Sequence, residues 1–180
     1  ETMIIGLYSP APQSGKSEAA LALTEYGFQR KGFAGLLRSM VYNLLCDMGY
    51  TRLRAVELIM TGAGKATVIP ELGVTVRYLM QTLGTEWGRK TIRDDIWIRA
   101  VLNDNRPDLL VIDDVRFPNE FDAIRDEGGQ VWRGYRPGAE PVNGHPSEGL
   151  LEGYDFDEEV VNDGDLSDLQ HKVKAALLGP

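Results

Sequence analysis

The sequence predicts an α/β fold in which a central parallel sheet is flanked by helices, in three layers. Short apolar runs, typical of strands, alternate along the chain with longer stretches whose apolar residues recur at helical spacing. The runs at residues 4–7 and 109–112 are continuously apolar, as expected for strands covered on both faces. A chain of 180 residues is long enough for one domain with a core of its own.

The first half of the chain predicts one clear strand followed mostly by helices. The strand at residues 4–7 ends at turn-forming residues, and a helix is predicted over residues 16–26. Two apolar residues, 33–34, are the basis for a second strand. Further helices are predicted over residues 36–48, 54–60, 76–83 and 94–103. The polar stretch 84–93 is expected to separate the last two helices.

The second half alternates strands and helices more regularly. A strand is predicted at residues 109–112, and the helix after it, 119–127, ends at a pair of glycines. The remaining predicted elements are strands over residues 130–135 and 159–161 and a closing helix over 166–178. Residues 136–154 are rich in Gly and Pro, and we expect them to form a functional flap rather than a domain boundary.

Composition narrows the classes of function. The formal net charge of −8 and the pI of about 4.8 give a surface that repels a phosphate backbone, so no nucleic-acid partner is expected. No apolar run approaches the roughly 18 residues that cross a bilayer, and no secretory signal is visible. The single cysteine, Cys46, fits a reducing compartment. These observations predict a cytoplasmic protein that acts on small molecules.

The strongest local motif is Ser14-Gly15-Lys16-Ser17, which follows the first strand and opens the first helix. In a phosphate-binding loop, backbone N–H groups and the helix N-terminus surround the phosphates. The lysine contacts the β- and γ-phosphates, and the hydroxyl after it binds magnesium. The motif predicts a P-loop NTPase fold with ATP and Mg²⁺ as cofactors. The loop departs from the usual pattern, because Pro10 stands where its first glycine is expected.

A second set of polar residues follows the apolar strand at residues 109–112. Asp113 and Asp114 come directly after it, at the edge of the sheet where ligands bind in open α/β folds. Because side chains alternate along a strand, these two are expected to point to opposite faces. One carboxylate could hold magnesium, and Arg116 could reach a phosphate. The alternative for Arg116 is an exposed ion pair with Glu120, four residues on.

Several segments together resemble the deoxynucleoside monophosphate kinases of tailed bacteriophages, a branch of the P-loop nucleoside monophosphate kinases. The phosphate loop alone indicates only a nucleotide site. Besides residues 4–7 and the phosphate loop, the resemblance is carried by "VTVRYLMQTLGTEWGRKTIRDDIWI" at 74–98, "VIDDVRFPNEFDAI" at 111–124, "GGQVWRGYRP" at 128–137, "HPSE" at 145–148 and "VVNDGDLSDL" at 160–169. The blocks "GTEWGR" at 84–89 and "DVRFPNE" at 114–120 are much more specific than the phosphate loop.

The resemblance implies roles for individual residues. On the side of the phosphate donor, it implies binding of ATP by Ser14, Gly15, Lys16, Ser17, Asn162 and Asp163, binding of the metal by Ser17 and Asp114, and catalysis by Lys16, Arg116, Arg133 and Arg136. On the side of the acceptor, it implies contacts from Arg38, Arg77, Gln81, Glu86, Trp87, Arg89, Asp95 and Trp97. Phe33-Ala34-Gly35 lacks the acid that the family pattern would place there.

The predicted organisation is one kinase domain over residues 1–180. It includes an acceptor-binding helical region at about 36–103 and a lid-like flap at about 136–154. The resemblance also implies small nucleotide substrates, a homodimer, and the host cytoplasm as the location if the chain is encoded by a phage. Two alternatives stay open: a P-loop kinase for another small acceptor, such as dephospho-coenzyme A or a nucleoside, and a regulatory module that binds nucleotide without transferring phosphate.

Overall fold

A computed structural model describes residues 2–11, 14–139 and 149–179. In chain order the elements are β1 Met3–Tyr8, α1 Lys16–Thr24, β2 Gln29–Lys31, α2 Gly35–Asp47, α3 Arg52–Met60, α4 Gly62–Ala66, β3 Val68–Ile69, β4 Val74–Thr75, α5 Val76–Gln81, a π-helix Thr82–Ile92, α6 Ile96–Val101, β5 Leu109–Ile112, α7 Pro118–Asp126, β6 Gln130–Tyr135, β7 Glu158–Val161 and α8 Leu166–Leu178. The chain divides into two compact units, of which the first combines Glu1–Gly32 with Val101–Pro180 and the second is Phe33–Ala100.

The first unit is built on a five-stranded sheet in the order β2-β5-β1-β6-β7, and every neighbouring pair is parallel. On one face, buried side chains of α1 and α8 pack with those of the strands, such as Leu7 and Trp132. On the other face α7 packs on β1 and β6, and Ile124 comes so close to Gly6 that a Cβ there would lie 2.6 Å from its Cδ1. The predicted three-layer α/β fold with a central parallel sheet flanked by helices is confirmed.

The second unit has its own apolar core, formed by α2, α3, α5 and the short hairpin of β3 and β4. Threonine side chains cap three of its helices: Thr51, Thr61 and Thr75 each accept a hydrogen bond from the backbone amide three residues on. Among the helices of the described residues, none is long and apolar enough to cross a membrane.

Two elements were predicted incorrectly: the second strand lies elsewhere in the chain, and a stretch predicted to separate two helices is itself helical. The second strand lies at residues 29–31, with the sequence Gln-Arg-Lys, rather than at 33–34. A strand at the sheet edge needs no apolar run, so its sequence carries no strand signal. Residues 84–93 do not separate two helices, because most of them belong to the π-helix, which follows α5 directly. Its backbone pairing is five residues apart: the amide of Arg93 donates to the carbonyl oxygen of Gly88 at 2.9 Å.

Candidate active site

The candidate active site lies at the carboxyl ends of β1 and β5, which are neighbours in the sheet, with Gly6 beside Ile112. From β1 the chain crosses β5 to reach β2, whereas from β5 it crosses β1 to reach β6. The two connections therefore leave in opposite directions and open a crevice at the strand ends. The phosphate-loop motif follows β1, and the two aspartates follow β5, so both polar segments predicted from the sequence meet at this edge.

The phosphate loop reaches helix α1 through Gly15, whose φ of 92° is in the left-handed region that favours glycine. A Cβ on Gly15 would also lie 2.6 Å from Nδ2 of Asn162. That amide donates a hydrogen bond to the carbonyl oxygen of Ser14 at 3.3 Å. Asn162, on the loop after β7, therefore supports the phosphate loop. Pro12 and Gln13 lie outside the described residues.

The loop leaves polar groups available for an anion. Ser14 is buried, yet its Oγ has no hydrogen-bond partner within the described part of the chain. No side chain of the described residues caps the N-terminus of α1, so within them its first amides are left for a ligand. A buried hydroxyl without a partner is costly unless a ligand or water completes it. These observations fit a site built for phosphate.

Lys16 begins α1 and is surrounded by charged groups. Burial lowers the pKa of Lys16, and the charge of Arg116 lowers it further, while Asp114 and Asp113 act in the opposite direction. The structure thus brings together Lys16, Arg116 and Asp114, which the sequence assigned to catalysis or metal binding. Asp113, which precedes Asp114 in the chain, lies with them. The hydroxyl-bearing Ser17, next in α1, is exposed.

The two aspartates lie closer to each other than strand alternation predicts. A Cβ on Gly32 would lie 2.6 Å from Oδ2 of Asp114 and 3.1 Å from Oδ1 of Asp113, so both carboxylates approach the same point. The expectation of opposite faces was wrong because β5 ends at Ile112, and the alternation ends with it. Asp114 is buried, whereas Asp113 is bound by Arg30 of β2, whose Nε donates to Oδ2 of Asp113 at 2.6 Å.

Arg116 presents its guanidinium to solvent. The alternative of an ion pair with Glu120 was wrong, because that carboxylate is buried and accepts hydrogen bonds from the backbone amides of Arg116, at 2.8 Å, and Phe117, at 3.1 Å. It serves as a cap for the start of α7. Within residues 2–11, 14–139 and 149–179, the guanidinium of Arg116 makes no hydrogen bond or ion pair, which leaves its planar fork available to a phosphate.

Arg133, on β6, differs from Arg116 in having carboxylate partners. Its two terminal nitrogens each donate at 3.2 Å, one to Glu152 and the other to Glu159. Its Nε is buried without a partner among the described residues. Arg136 follows β6 and is exposed. Glu152 belongs to the far end of the predicted flap, of which residues 140–148 lie outside the described residues.

The remaining donor-side residue, Asp163, lies next to Asn162 and forms an ion pair with Lys172 of α8. Hydrogen bonding from that lysine lowers the pKa of Asp163. The ammonium group of Lys172 also donates to the carbonyl oxygen of Val161 at 2.8 Å. Asp163 therefore ties the loop after β7 to α8 in this structure.

The residues assigned to the acceptor all lie in the second unit. Arg38 is half-buried on α2, while Arg77 and Gln81 are exposed on α5. Trp87, in the π-helix, is 40% exposed, and its ring centroid is 6.3 Å from that of Trp97.

Trp97 has a structural role in this unit. It is buried, and its Nε1 donates to the carbonyl oxygen of Gly84 at 2.9 Å. A Cβ on Gly88 would lie 2.6 Å from the Trp97 ring, so the π-helix needs glycine there to pack against it. The glycines in this motif thus serve packing within the second unit.

Charged residues of this region pair with one another. Glu86 accepts a hydrogen bond from Lys90 at 2.8 Å, and Asp95 accepts from Arg93 and from Arg99. The guanidinium of Arg89 lies 3.9 Å from a carboxylate oxygen of Asp94. The three predicted acceptor residues Glu86, Arg89 and Asp95 are therefore engaged locally in this structure.

Sequence reasoning missed two features of these regions. It gave no role to Arg30, because no strand was predicted at residues 29–31, and a single arginine carries no motif. It also missed the π-helix, for which no sequence pattern was available. The specific block at 84–89 was the one signal that this stretch is unusual.

The residues at the sheet edge fit a magnesium–nucleotide complex. Ser17 and Asp114 offer a hydroxyl and a carboxylate, the hard oxygen ligands that Mg²⁺ prefers. Among the described residues, no group of three or more His, Cys, Asp or Glu side chains could hold a metal by itself.

Comparison with known proteins places the chain in a family. The model of the family "Deoxynucleotide monophosphate kinase" matches residues 40–173. The chain is 39% identical over 59 residues to the deoxynucleoside-5'-monophosphate kinase of Escherichia phage T5, and 32% identical over 109 residues to the deoxynucleotide monophosphate kinase of Enterobacteria phage T4. These alignments cover 31% and 57% of this chain, but only 23% and 45% of the phage enzymes.

A third relative is matched over most of its length. The chain is 30% identical over 162 residues to the putative deoxynucleotide monophosphate kinase of Acanthamoeba polyphaga mimivirus, which covers 81% of this chain and 80% of that protein. A crystal structure of TT1252 from Thermus thermophilus aligns with 99% of this chain and 97% of its own, at 15% identity and a TM-score of 0.41, a likeness too slight to bear on fold or function. The family match covers well over half of the sequence, and the chain belongs to the deoxynucleotide monophosphate kinase family.

Proposed function

We propose that this protein transfers the γ-phosphoryl group of ATP to a deoxynucleoside monophosphate, with Mg²⁺, and releases ADP and the deoxynucleoside diphosphate. The observation that carries the proposal is the arrangement at the end of β1 and β5. There Arg116 and Asp114 lie close enough to Lys16 to shift its pKa, beside the N-terminus of α1, which no side chain of the described residues caps. Membership of the family supports a deoxynucleotide as the acceptor.

The donor phosphates would be held by the phosphate loop. The amides at the start of α1 and the hydroxyl of Ser14 would donate to phosphate oxygens, and Gly15 would leave room for them. Asn162 would keep the loop in shape through its bond to the carbonyl oxygen of Ser14. Asn162 and Asp163, on the loop after β7, are also the residues we propose to lie by the adenine base.

The cationic side chains would stabilise the charge of the transferring group. In the reaction, an oxygen of the acceptor phosphate forms a bond with the γ-phosphorus while the bond to the bridging oxygen breaks, and ADP leaves with the electron pair. Bound Mg²⁺, held by Ser17 and Asp114, would supply charge neutralisation at the donor phosphates. Lys16 and Arg116 would donate to the oxygens on which charge develops, which is where phosphoryl transfer gains most of its rate.

Arg133 and Arg136 are proposed to act from the end of β6. Arg136 is exposed there, next to the predicted flap. Arg133 would have to give up one of its contacts with Glu152 and Glu159 before it could bind a phosphate. We therefore assign Arg133 a smaller share of catalysis than Arg116.

The acceptor would be bound by the second unit. Arg77, Gln81 and Trp87 are exposed and supply cationic, amide and aromatic groups for a nucleotide. Arg38 and Arg89 are the other cations proposed to serve the acceptor phosphate. Glu86, Asp95 and Trp97 complete the proposed set, with Trp97 acting by holding the π-helix in place.

A screen of acceptors tests the proposal. Purified protein is mixed with Mg-ATP and one acceptor at a time: each of the four common deoxynucleoside monophosphates, dephospho-coenzyme A, or a nucleoside. We expect ADP release to be stimulated by one or more of the deoxynucleotides. Stimulation by dephospho-coenzyme A or a nucleoside instead would assign the chain to another acceptor, and ATP binding without any acceptor-dependent release would make it a regulatory module.

A further inference from the structure

Arg30 enters the candidate active site from the edge strand β2. Its Nε donates to Oδ2 of Asp113 at 2.6 Å, and its Nη2 forms an ion pair with the same oxygen. The Nη2 group also donates to Oγ of Ser17 at 3.4 Å. One guanidinium therefore contacts both the carboxylate beside the proposed metal acid and the hydroxyl proposed to bind the metal.

Without this cation, the carboxylate of Asp113 and the hydroxyl of Ser17 would each lose a contact, and Lys16 and Arg116 would be the other cations near the two carboxylates. Asp113 and Asp114 both approach Gly32, within 3.1 Å of the position of a Cβ there. Two carboxylates that lie together with a nearby hydroxyl make a set of hard oxygen donors, which attracts divalent cations. The guanidinium of Arg30 offsets the charge of Asp113 through their ion pair.

Arg30 is restrained where Arg116 is not. Two of its nitrogens face one oxygen of Asp113, whose side chain is only 13% exposed. The guanidinium of Arg30 therefore binds other groups of the protein, whereas the guanidinium of Arg116 makes no hydrogen bond or ion pair with the described residues. This difference argues that Arg30 acts on the carboxylate and the hydroxyl rather than as a phosphate ligand.

We propose that Arg30 is a positioning residue that suppresses binding of a divalent cation to Ser17, Asp113 and Asp114 before the nucleotide arrives. The proposal rests on the proposed function, which assigns the metal to Ser17 and Asp114. The ion pair with Arg30 keeps the carboxylate of Asp113 from binding a metal ion. The positive charge of the guanidinium also repels a divalent cation from the hydroxyl of Ser17. Only when nucleotide phosphates add their own charge and oxygen ligands does the metal bind, and then Asp114 serves it while Asp113 remains held.

The test measures metal binding by the full chain without nucleotide, with Mn²⁺ as the probe and calorimetry or electron paramagnetic resonance as the readout. We expect weak binding by the wild type and about tenfold tighter binding by Arg30→Ala, a size typical of changes next to metal ligands. The added affinity should disappear in Arg30→Ala/Asp113→Asn, because the released carboxylate is its source. Arg30→Lys, which keeps a cation, should bind Mn²⁺ nearly as weakly as the wild type.

Arg106→Ala is the matched control, since Arg106 donates to Glu127 at 2.7 Å in an ion pair of the same kind, ahead of β5 and outside this site. It should leave Mn²⁺ affinity unchanged. Circular dichroism checks the fold, and Arg30→Gln replaces Arg30→Ala if that variant does not fold. Unchanged Mn²⁺ affinity in a folded neutral variant, or a gain that persists in the double variant, would overturn the proposal. Neither result depends on phosphoryl transfer, so a failure here is distinct from a failure of the proposed kinase activity.

Discussion

The carboxyl edge of the sheet in the first unit and the π-helix region of the second unit both collect charged residues, but they use them differently. At the sheet edge, the described residues leave the guanidinium of Arg116 and the hydroxyl of Ser14 without partners. In the π-helix region, Glu86 and Asp95 are engaged by neighbouring cations. The first region therefore offers polar groups to a ligand, whereas the second uses its polar groups for contacts within its own unit.

From this contrast we expect substitutions at the sheet edge to affect catalysis and substitutions in the π-helix region to affect the fold. A group that pairs with nothing contributes little to stability, so its removal should change function alone. A group that packs or pairs locally contributes to the free energy of unfolding, so its removal should change stability first. Exposed ion pairs such as that of Glu86 and Lys90 contribute only about 0.3–0.5 kcal/mol, and the packing of Trp97 matters more.

The largest effect is expected at Lys16. Lys16→Ala should lower kcat for phosphoryl transfer by about a thousandfold, because it removes a cation that stabilises the transferring group. Burial lowers the pKa of this lysine, so its charge is held at a cost in the folded state, and Ala should not lower the melting temperature. Steady-state kinetics and thermal unfolding check both statements. Near-normal turnover in the folded variant would remove Lys16 from the site.

Arg116 should come next. Arg116→Ala should lower kcat by about a hundredfold at every Mg²⁺ concentration, and Arg116→Lys should recover little, because a point charge does not replace a bidentate fork. The matched variant Arg133→Ala should lose less activity and more stability, since Arg133 already pairs with two carboxylates. Rate measurements over a series of Mg²⁺ concentrations, with melting curves, distinguish them. Equal losses of rate in the two variants would contradict the contrast between a free and a paired arginine.

Asp114 should act through the metal. Asp114→Asn is expected to raise the Mg²⁺ concentration for half-maximal rate by about tenfold or more, with part of kcat recovered at saturation. Asp113→Asn, the neighbouring control, should raise it less, because Arg30 already engages that carboxylate. Measuring the rate over a series of Mg²⁺ concentrations compares the two variants. If Asp114→Asn needs no more Mg²⁺ than the wild type for half-maximal rate, Asp114 is not a metal ligand.

In the second unit the largest effect should be on stability. Gly88→Ala would place a methyl group 2.6 Å from the buried ring of Trp97, and overpacking of this kind costs about 1–3 kcal/mol. Gly62→Ala is the control in the same unit, since nothing lies within 4 Å of a Cβ there. Chemical denaturation of both variants measures the free energy of unfolding. A Gly88→Ala variant as stable as Gly62→Ala would show that the π-helix can move away from Trp97.

The smallest effect concerns the sugar of the acceptor. We expect deoxy acceptors to be preferred over their ribo forms, with the exposed rings of Trp87 or Tyr78 packed against C2′ to exclude a hydroxyl. Trp87→Ala or Tyr78→Ala should then reduce the ratio of kcat/KM for a deoxynucleotide to that for its ribo form. The kcat/KM for the deoxynucleotide itself should change far less than this ratio. Equal kcat/KM for the two forms in the wild type would refute the preference.

The sequence predicted the parts of the fold that depend on burial and local motifs. The strand at residues 109–112 was found at its observed bounds because it is continuously apolar. The strand at 130–135 was found because Val131, Trp132 and Tyr135 are β-prone and two glycines precede it. The phosphate-loop motif was correctly placed between a strand and a helix. The strand at 29–31 was missed because it lies at the sheet edge and is polar, and with it the contact between Arg30 and Asp113 was missed.

Features that depend on tertiary contacts could not be predicted from the sequence. Helical periodicity does not distinguish the five-residue hydrogen bonding of the π-helix from a loop between two helices. The positions of Asp113 and Asp114 depend on where β5 ends, which no local pattern specified. The pairing of Glu120 with backbone amides, rather than with the side chain of Arg116, was likewise decided by the turn before α7.

The most direct test of the account follows the phosphoryl group itself. ATP labelled at the γ-phosphate is incubated with Mg²⁺, the wild-type protein and each deoxynucleoside monophosphate in turn, and the products are separated. We expect label to appear in a deoxynucleoside diphosphate in step with ADP, and Lys16→Ala to remove this transfer. Label found only in inorganic phosphate, or no acceptor-dependent release of label from ATP, would contradict the assignment of this chain as a kinase of deoxynucleotides.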